Sequence, residues 1–376
     1  MSIASEVEFR IAARVLREST RGKAADSVLR SVLRETRLAP EQSRTVSELV
    51  FAYYRWHGWI EPKQGWEQQL REGIKLAKRF ARSPEEFTDQ ELLAKALPAW
   101  VLEQIPESPQ WARTLQAEPR LWLRARAGQG RAVAAELEEA SIPMPNILPD
   151  TIEYLGTRDL FHTDAFKTGQ FEIQDISSQW VGILCEPKPG ETWWDACAGE
   201  GGKTLHLSAL MGNKGLIWAS DRAQWRLDKL KRRTGRAQVF NYRPALWDGG
   251  SKLPTKTTFH GVLVDAPCSG LGTWQRNPHA RWTTELKDVL ELKELQKQLL
   301  QNAAKAVKPG GKIVYSVCTL ARAETEEVAV AFEASQPEFE PIEMAHPSGQ
   351  KLKGRCWVQP WDLGGNGMFI AAWRRK

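Results

Sequence analysis

The ten residues Asp195–Thr204, DACAGEGGKT, decide how the C-terminal half of this chain is read. They end in Gly-Gly-Lys-Thr, as a nucleoside-triphosphate loop does. Such a loop needs a glycine five positions before Gly202, and Cys197 stands there, so the backbone that would wrap a β-phosphate is missing. The other reading is a loop for a ribose-bearing ligand. Asp195 closes an apolar run, and Ala198, Gly199, Gly201 and Gly202 let backbone come close to a ligand ahead of a helical pattern. A second acid, Asp221, closes the next apolar run 26 positions on (221 − 195), where it suits ribose hydroxyls. The G-x-G-x-x-G spacing of dinucleotide sites is absent. S-adenosyl-L-methionine carries ribose and adenine but no phosphate, so it needs the acids without the phosphate fingerprint.

Around this loop the pattern alternates. ETWWDACA, GLIWASD, AQVFNY, GVLVDAP, GKIVYSVC and GMFIAAWRR read as strands, with helices between them. That alternation predicts a doubly wound, mostly parallel α/β sheet over 166–376. Residues 1–105 read as an all-α domain: in PEQSRTVSELVFAYYRWHGWIE, Val46, Leu49, Val50, Tyr53 and Tyr54 recur with helical spacing. Residues 106–165 read as a small α/β linker domain, whose strand RLWLRARA carries three arginines.

The composition is that of a globular protein, with 42% hydrophobic and 26% charged residues. The N-terminus lacks an apolar secretory core, and no window suits a membrane span, so a cytoplasmic setting is expected. The net charge of +6 permits a polyanionic partner. Five scattered cysteines without C-x-x-C pairs argue against a disulfide framework and against zinc, and the six histidines form no metal-like cluster; no metal is expected. Seventeen tryptophans suit packing as well as base stacking. Nothing marks an oligomer, and a monomer is expected.

Two cysteines fall at strand ends: Asp265-Ala-Pro-Cys268 after one strand and Cys318 after another. Ligands of open α/β sheets sit outside the carboxyl ends of the strands, so these thiols and the glycine loop are expected to share a crevice. A thiolate beside a methyl donor suits cytosine C5. Addition to C6 makes C5 an enamine carbon that attacks the methyl sulfonium, and a carboxyl group near N3 assists.

DACAGEGGKT, DAPCSGLGTWQRNPHARW and YSVCTL resemble motifs I, IV and VI of the RsmB/Sun family of RNA cytosine-5 methyltransferases. GQFEIQDISSQW resembles the segment that precedes that family's cofactor loop, and the likeness covers about 170–376. Residues 1–105 resemble, more weakly, the NusB-like RNA-binding domain of the RsmB subgroup. The resemblance implies a Rossmann-like methyltransferase fold, S-adenosyl-L-methionine as cofactor, and structured RNA, ribosomal above all, as partner; transfer RNA stays open. It implies Cys318 as the covalent nucleophile, Cys268 in product release, and Asp265 and Lys203 holding the cytosine. Cofactor contacts fall on Cys197, Ala198, Gly199, Glu200, Gly201, Gly202 and Lys203, with Asp221, Asp265 and, at the adenine side, Asp248. DNA cytosine methyltransferases use the Pro-Cys position instead, which here is Cys268. A non-catalytic assembly factor on the same fold is a further alternative, against which the intact Cys318, Cys268 and Asp265 argue.

The chain departs from the family wording in two places. The loop reads Ala-Gly-Glu-Gly-Gly-Lys where Ala-Pro-Gly-Gly-Lys is common, and Val317 stands where Thr is usual. The basic run Arg226, Lys229, Lys231, Arg232, Arg233, Arg236 reads first as a solvated helix face and second as an RNA contact. His279 either approaches RNA or shapes its loop.

Overall fold

The computed structural model describes residues 4–106 and 108–376. Contacts divide the chain into two units, one of Met1–Pro119 with Gly270–Asp288, the other of Arg120–Ser269 with Val289–Lys376.

The first unit is helical, with helices Glu6–Glu18, Ala25–Thr36, Pro40–Arg55, Trp66–Arg82, Asp89–Ala96, Pro109–Gln116 and Pro278–Thr283. Val46, Leu49, Val50, Tyr53 and Tyr54 are buried as their spacing predicts. Trp56, Phe80 and Phe87 form an aromatic centre with ring centroids 5.0–5.5 Å apart. Helix starts follow side-chain chemistry: Thr88 accepts from the Glu91 N–H and Ser108 from the Trp111 N–H, each at 3.2 Å. Outward arginines pair with helix neighbours, Arg14 with Glu18 at 2.6 Å and Arg71 with Glu67 at 2.7 Å. His279 is buried against Tyr54 with centroids 4.7 Å apart, so it shapes this unit's interior.

The second unit begins with a small antiparallel sheet of β1 (Leu121–Ala125), β2 (Ala140–Ser141), β3 (Thr151–Tyr154) and β4 (Phe171–Ile173), in the order β2-β3-β1-β4. Leu123, Val133, Ile152 and Phe171 form its core. The strand's arginines are engaged locally: Arg124 donates to Gln174 Oε1 at 2.6 Å, and Arg126 to the Gly169 and Thr168 carbonyls at 2.8 and 2.9 Å.

The large sheet comprises β5 (Thr192–Asp195), β6 (Leu216–Asp221), β7 (Tyr242–Leu246), β8 (Phe259–Asp265), β9 (Val307–Val317), β10 (Phe339–Pro341), β13 (Arg355–Val358) and β14 (Met368–Arg375); β11 (Glu343–Ala345) and β12 (Lys351–Lys353) form a separate hairpin. The order is β10-β14-β9-β8-β5-β6-β7, with β13 also on β14. Strands β5 to β9 are parallel, and β14 runs antiparallel to β9. The strands are apolar on both faces because both are covered: Trp194, Val262, Val264 and Tyr315 join one core, Trp193, Ile217, Leu263 and Val314 the other. Strand order reverses at β5, which has β6 on one side and β8 on the other, so a crevice opens at their carboxyl ends.

One expected strand lies elsewhere. AQVFNY is not a strand: its helix ends at Ala237, Gln238 is left-handed at φ 57°, and β7 starts only at Tyr242. The turn is fixed by Asn241, whose side chain accepts from the Ser208 hydroxyl at 2.6 Å. Pro244 is tolerated in β7 because, among the described residues, this edge strand pairs with β6 alone.

Candidate active site

The glycine loop leaves β5 at Asp195 and enters the Gly202–Leu210 helix. Gly201 is left-handed at φ 90°, and a Cβ there would meet Leu230 Cγ at 2.8 Å. Gly199 is also left-handed at φ 55°, but among the described residues no atom beyond its chain neighbours lies within 4 Å of a Cβ placed on it. The loop is thus closed toward the fold at Gly201 and open on the other side at Gly199, as a ligand cradle must be. The Gly199 N–H donates to Asp221 Oδ2 at 3.1 Å, and Asp221 Oδ1 accepts from the Ala223 N–H at 2.9 Å. Asp221 is therefore fixed at the end of β6.

Asp195 is fully buried. The Thr204 hydroxyl donates to its Oδ2 at 2.6 Å, and its Oδ1 has no hydrogen-bond partner among the described residues. Burial, with smaller contributions from Asp265 and Asp221, pushes its carboxyl up to about 7. The loop is thus surrounded by Asp195, Asp221 and Asp265. A triphosphate would meet repulsion here, whereas a cationic sulfonium with a ribose diol would not. Lys203 is not free for a phosphate either: its Nζ donates to Asp265 Oδ2 at 2.6 Å. Burial pulls the Lys203 ammonium down, but the Asp265 charge and hydrogen bond outweigh it and hold the group above its ordinary value. The residues present fit a cationic, ribose-bearing group such as S-adenosylmethionine: Gly199 leaves space beside the loop, and Asp221 is fixed next to it.

Asp265, at the end of β8, also accepts from the Ser316 hydroxyl at 2.8 Å. Asp265 and Ser316 are register partners across β8 and β9. Three residues after Asp265 and two after Ser316 stand Cys268 and Cys318, and their sulfurs are 3.3 Å apart. Both are partly exposed. The remaining thiols differ. Burial pushes Cys185 and Cys356 up to about 12 and holds Cys197 well above its ordinary value, with Asp195 adding to the last. No disulfide joins any of the five cysteines among the described residues.

The structure thus brings Lys203, Asp265, Cys268 and Cys318 together, beside the loop from Cys197 to Gly202 and Asp221. Asp248 is exposed two residues beyond Leu246, the register partner of Asp221, and its Oδ1 accepts from the Gly250 N–H at 2.9 Å. Glu200 turns outward to Lys229 at 2.7 Å. Most of the basic run is engaged: Arg226 lies 3.5 Å from Asp221, and Arg233 and Arg236 pair with buried Glu172 at 2.8 and 2.5 Å.

Ser316, Thr204 and Glu324 were not singled out by the sequence. Ser316 lies inside YSVCTL, so its nearness to Cys318 was the available signal. Thr204 closes the loop motif. Glu324 carries no such signal, standing among the exposed-looking acids of RAETEEV.

A sequence profile described as 16S rRNA methyltransferase RsmB/F matches residues 182–374. A probable ribosomal RNA small subunit methyltransferase B of Synechocystis sp. is 34% identical over 323 residues, covering 79% of this chain and 72% of that one. A protein of the same description from Bacillus subtilis is 34% identical, over 67% of this chain and 59% of its own length. Among solved structures, NSun6 of Pyrococcus horikoshii with SFG, an S-adenosylmethionine analogue, is 29% identical, with a TM-score of 0.51 over 59% of this chain and 58% of that one. The fold itself recurs in the crystal structure of PH0851, at a TM-score of 0.81 and 24% identity over 100% of both chains.

Proposed function

Since this chain belongs to the 16S rRNA methyltransferase RsmB/F family, with S-adenosylmethionine as cofactor, we propose that it methylates C5 of a cytosine in small-subunit ribosomal RNA through a covalent Cys318–C6 bond. The observation that carries this reading is the pair of thiols 3.3 Å apart at the ends of neighbouring strands, beside the Lys203–Asp265 ion pair.

The target base must leave its stack, at about a few kcal/mol, to reach the crevice. The Lys203–Asp265 pair faces N3 and stabilises the charge that develops there as the Cys318 thiolate adds to C6. In this pair the mobile proton resides on Lys203, so any proton lent to N3 comes from the ammonium or passes through Asp265. S-adenosylmethionine, when bound, supplies an electrophilic methyl group. C5 takes that methyl with the enamine electron pair. Cys268, as thiolate after losing its proton to water, then removes the C5 proton. The C5–H pair becomes the C5=C6 double bond, and the C6–S pair leaves on Cys318. One proton is released overall.

Residues 1–105, in this reading, are a NusB-like RNA-binding domain, 106–165 a linker domain and 166–376 the catalytic domain. The test is covalent trapping. Cys268→Ala protein is mixed with S-adenosylmethionine and small-subunit ribosomal RNA from cells lacking the enzyme. A protein–RNA adduct is expected, disappearing when Cys318→Ala is added, with 5-methylcytidine found in RNA treated with the unaltered protein. Intact cofactor binding without any adduct rejects the covalent reading.

A further inference from the structure

Behind the two thiols lies a buried polar cluster that takes no part in the chemistry above. Glu324, Gln296 and Tyr315 are all 0% exposed. Glu324 Oε1 accepts from the Ser269 N–H at 2.8 Å and from Gln296 Nε2 at 2.9 Å. Its Oε2 accepts a short bond from the Ser269 hydroxyl, which also lies 3.0 Å from Thr319 Oγ1. Gln296 Nε2 also donates to the Pro267 carbonyl at 2.9 Å. The Tyr315 hydroxyl closes the cluster, 3.0 Å from Gln296 Oε1 and 2.6 Å from the Glu324 carbonyl.

The pattern is specific. Pro267 and Ser269 flank Cys268, and each is gripped by this cluster. Thr319 follows Cys318. A carboxyl in such a place is costly to bury, and burial pushes it upward in spite of the Ser269 bonds. It gives what an apolar residue cannot, an acceptor for the backbone and hydroxyl of the Cys268 loop.

The two cysteines depend on it unequally. Cys318 directly follows β9, whose Val317 and Ser316 are paired with Phe369 and Ile370 of β14. Its place is set by the sheet. Cys268 stands on a loop three residues beyond the last residue of β8, and Glu324 and Gln296 hold that loop.

We propose that Glu324 is a positioning residue for Cys268, and through it for the release step rather than for the addition step. The inference rests on the covalent reading above. With Glu324 altered, Cys318 still adds to C6 and C5 still takes the methyl. Removal of the C5 proton, which shifts the C5–H pair into the C5=C6 bond and returns the C6–S pair to Cys318, then slows because the Cys268 sulfur is misplaced. Loss of about an ångström of placement costs on the order of 100-fold in such a step.

Glu324→Gln keeps the volume and an acceptor at one oxygen position and replaces the acceptor facing the hydroxyls. The protein is compared with Cys268→Ala and the unaltered chain for three readouts: S-adenosylmethionine affinity, multiple-turnover methylation, and covalent RNA adduct on a denaturing gel. Expected for Glu324→Gln are unchanged cofactor affinity, turnover lowered by ~10-fold or more, and an adduct approaching that of Cys268→Ala. A general loss of structure would lower adduct and turnover together. If Cys268→Ala itself gives no adduct, the covalent reading falls and this inference with it. If Cys268→Ala traps RNA while Glu324→Gln does not, Glu324 has no such role. Should Glu324→Gln lose cofactor binding, Ser269→Ala decides by the same criteria, since it removes only the hydroxyl and keeps the backbone bond: adduct supports the role and its absence overturns it.

Discussion

Asp195 shows how one buried carboxyl ties the site to stability. With only the Thr204 hydroxyl on one oxygen, it holds its proton up to about pH 7, above the ordinary value of 3.8. The folded protein therefore binds this proton more tightly than the unfolded chain does. The stability from that proton is complete below about pH 4 and is lost as pH rises toward 7, because over that window the native state carries the proton and the unfolded state does not. Asp195→Asn removes the titration. The stability of Asp195→Asn minus that of the unaltered protein is expected to rise by on the order of a few kcal/mol from pH 4 to pH 7, then level off. Denaturant unfolding at a series of pH values measures it, and a flat difference across the window would refute the assignment.

The loop and the Gly202–Leu210 helix form the element through which sequence becomes a cradle. Two adjacent glycines there have different duties. Gly201→Ala forces a left-handed residue and drives a Cβ to 2.8 Å from Leu230 Cγ. It is expected to cost about 1–3 kcal/mol of stability. It should also weaken S-adenosylmethionine binding, because the Gly199 N–H that engages Asp221 is displaced. Gly202→Ala meets no atom within 4 Å among the described residues outside its own helical turn and has an ordinary helical backbone, so its stability is expected to match or slightly exceed that of the unaltered protein. Calorimetric unfolding and cofactor titration of the two variants side by side give the comparison. The Gln224–Ala237 helix offers a second lesson: Arg233 and Arg236 are held by buried Glu172 and serve the packing of this helix.

On the scale of the whole chain, residues 270–288 complete the helical unit even though motif IV runs straight into them. Arg281, 0% exposed, supplies the reason. Its guanidinium donates to the Ala96 carbonyl at 3.1 Å and the Leu115 carbonyl at 2.9 Å, and Trp282 Nε1 donates to the Tyr54 carbonyl at 2.7 Å. Arg281→Ala takes the guanidinium donor from the Ala96 and Leu115 carbonyls and leaves a void beside them. A loss of roughly 2–4 kcal/mol is expected in the helical unit. Hydrogen exchange should rise first around Ala96 and Leu115, and protection there equal to that of the unaltered chain would count against this account.

The sequence by itself determined the α/β alternation, the all-α N-terminal segment and the choice against a triphosphate loop. These follow from local causes: apolar periodicity, the missing glycine at Cys197 and acids at strand ends. It also placed Asp265, Cys268 and Cys318 at strand ends in a fold whose ligands gather at that edge, while Lys203 came from the resemblance to the family's loop motif. The β7 strand escaped it, since Gln238 takes a left-handed turn that no apolar pattern announces and an edge strand tolerates Pro244. Only the tertiary structure decided which partner each group has. That Lys203 is spent on Asp265, that Arg281 and His279 are interior, and that Glu324 reaches Ser269 from 55 residues away are matters of distance across the sheet. Burial then decides what each charge does, and burial is a property of the packed whole that no short stretch of chain contains.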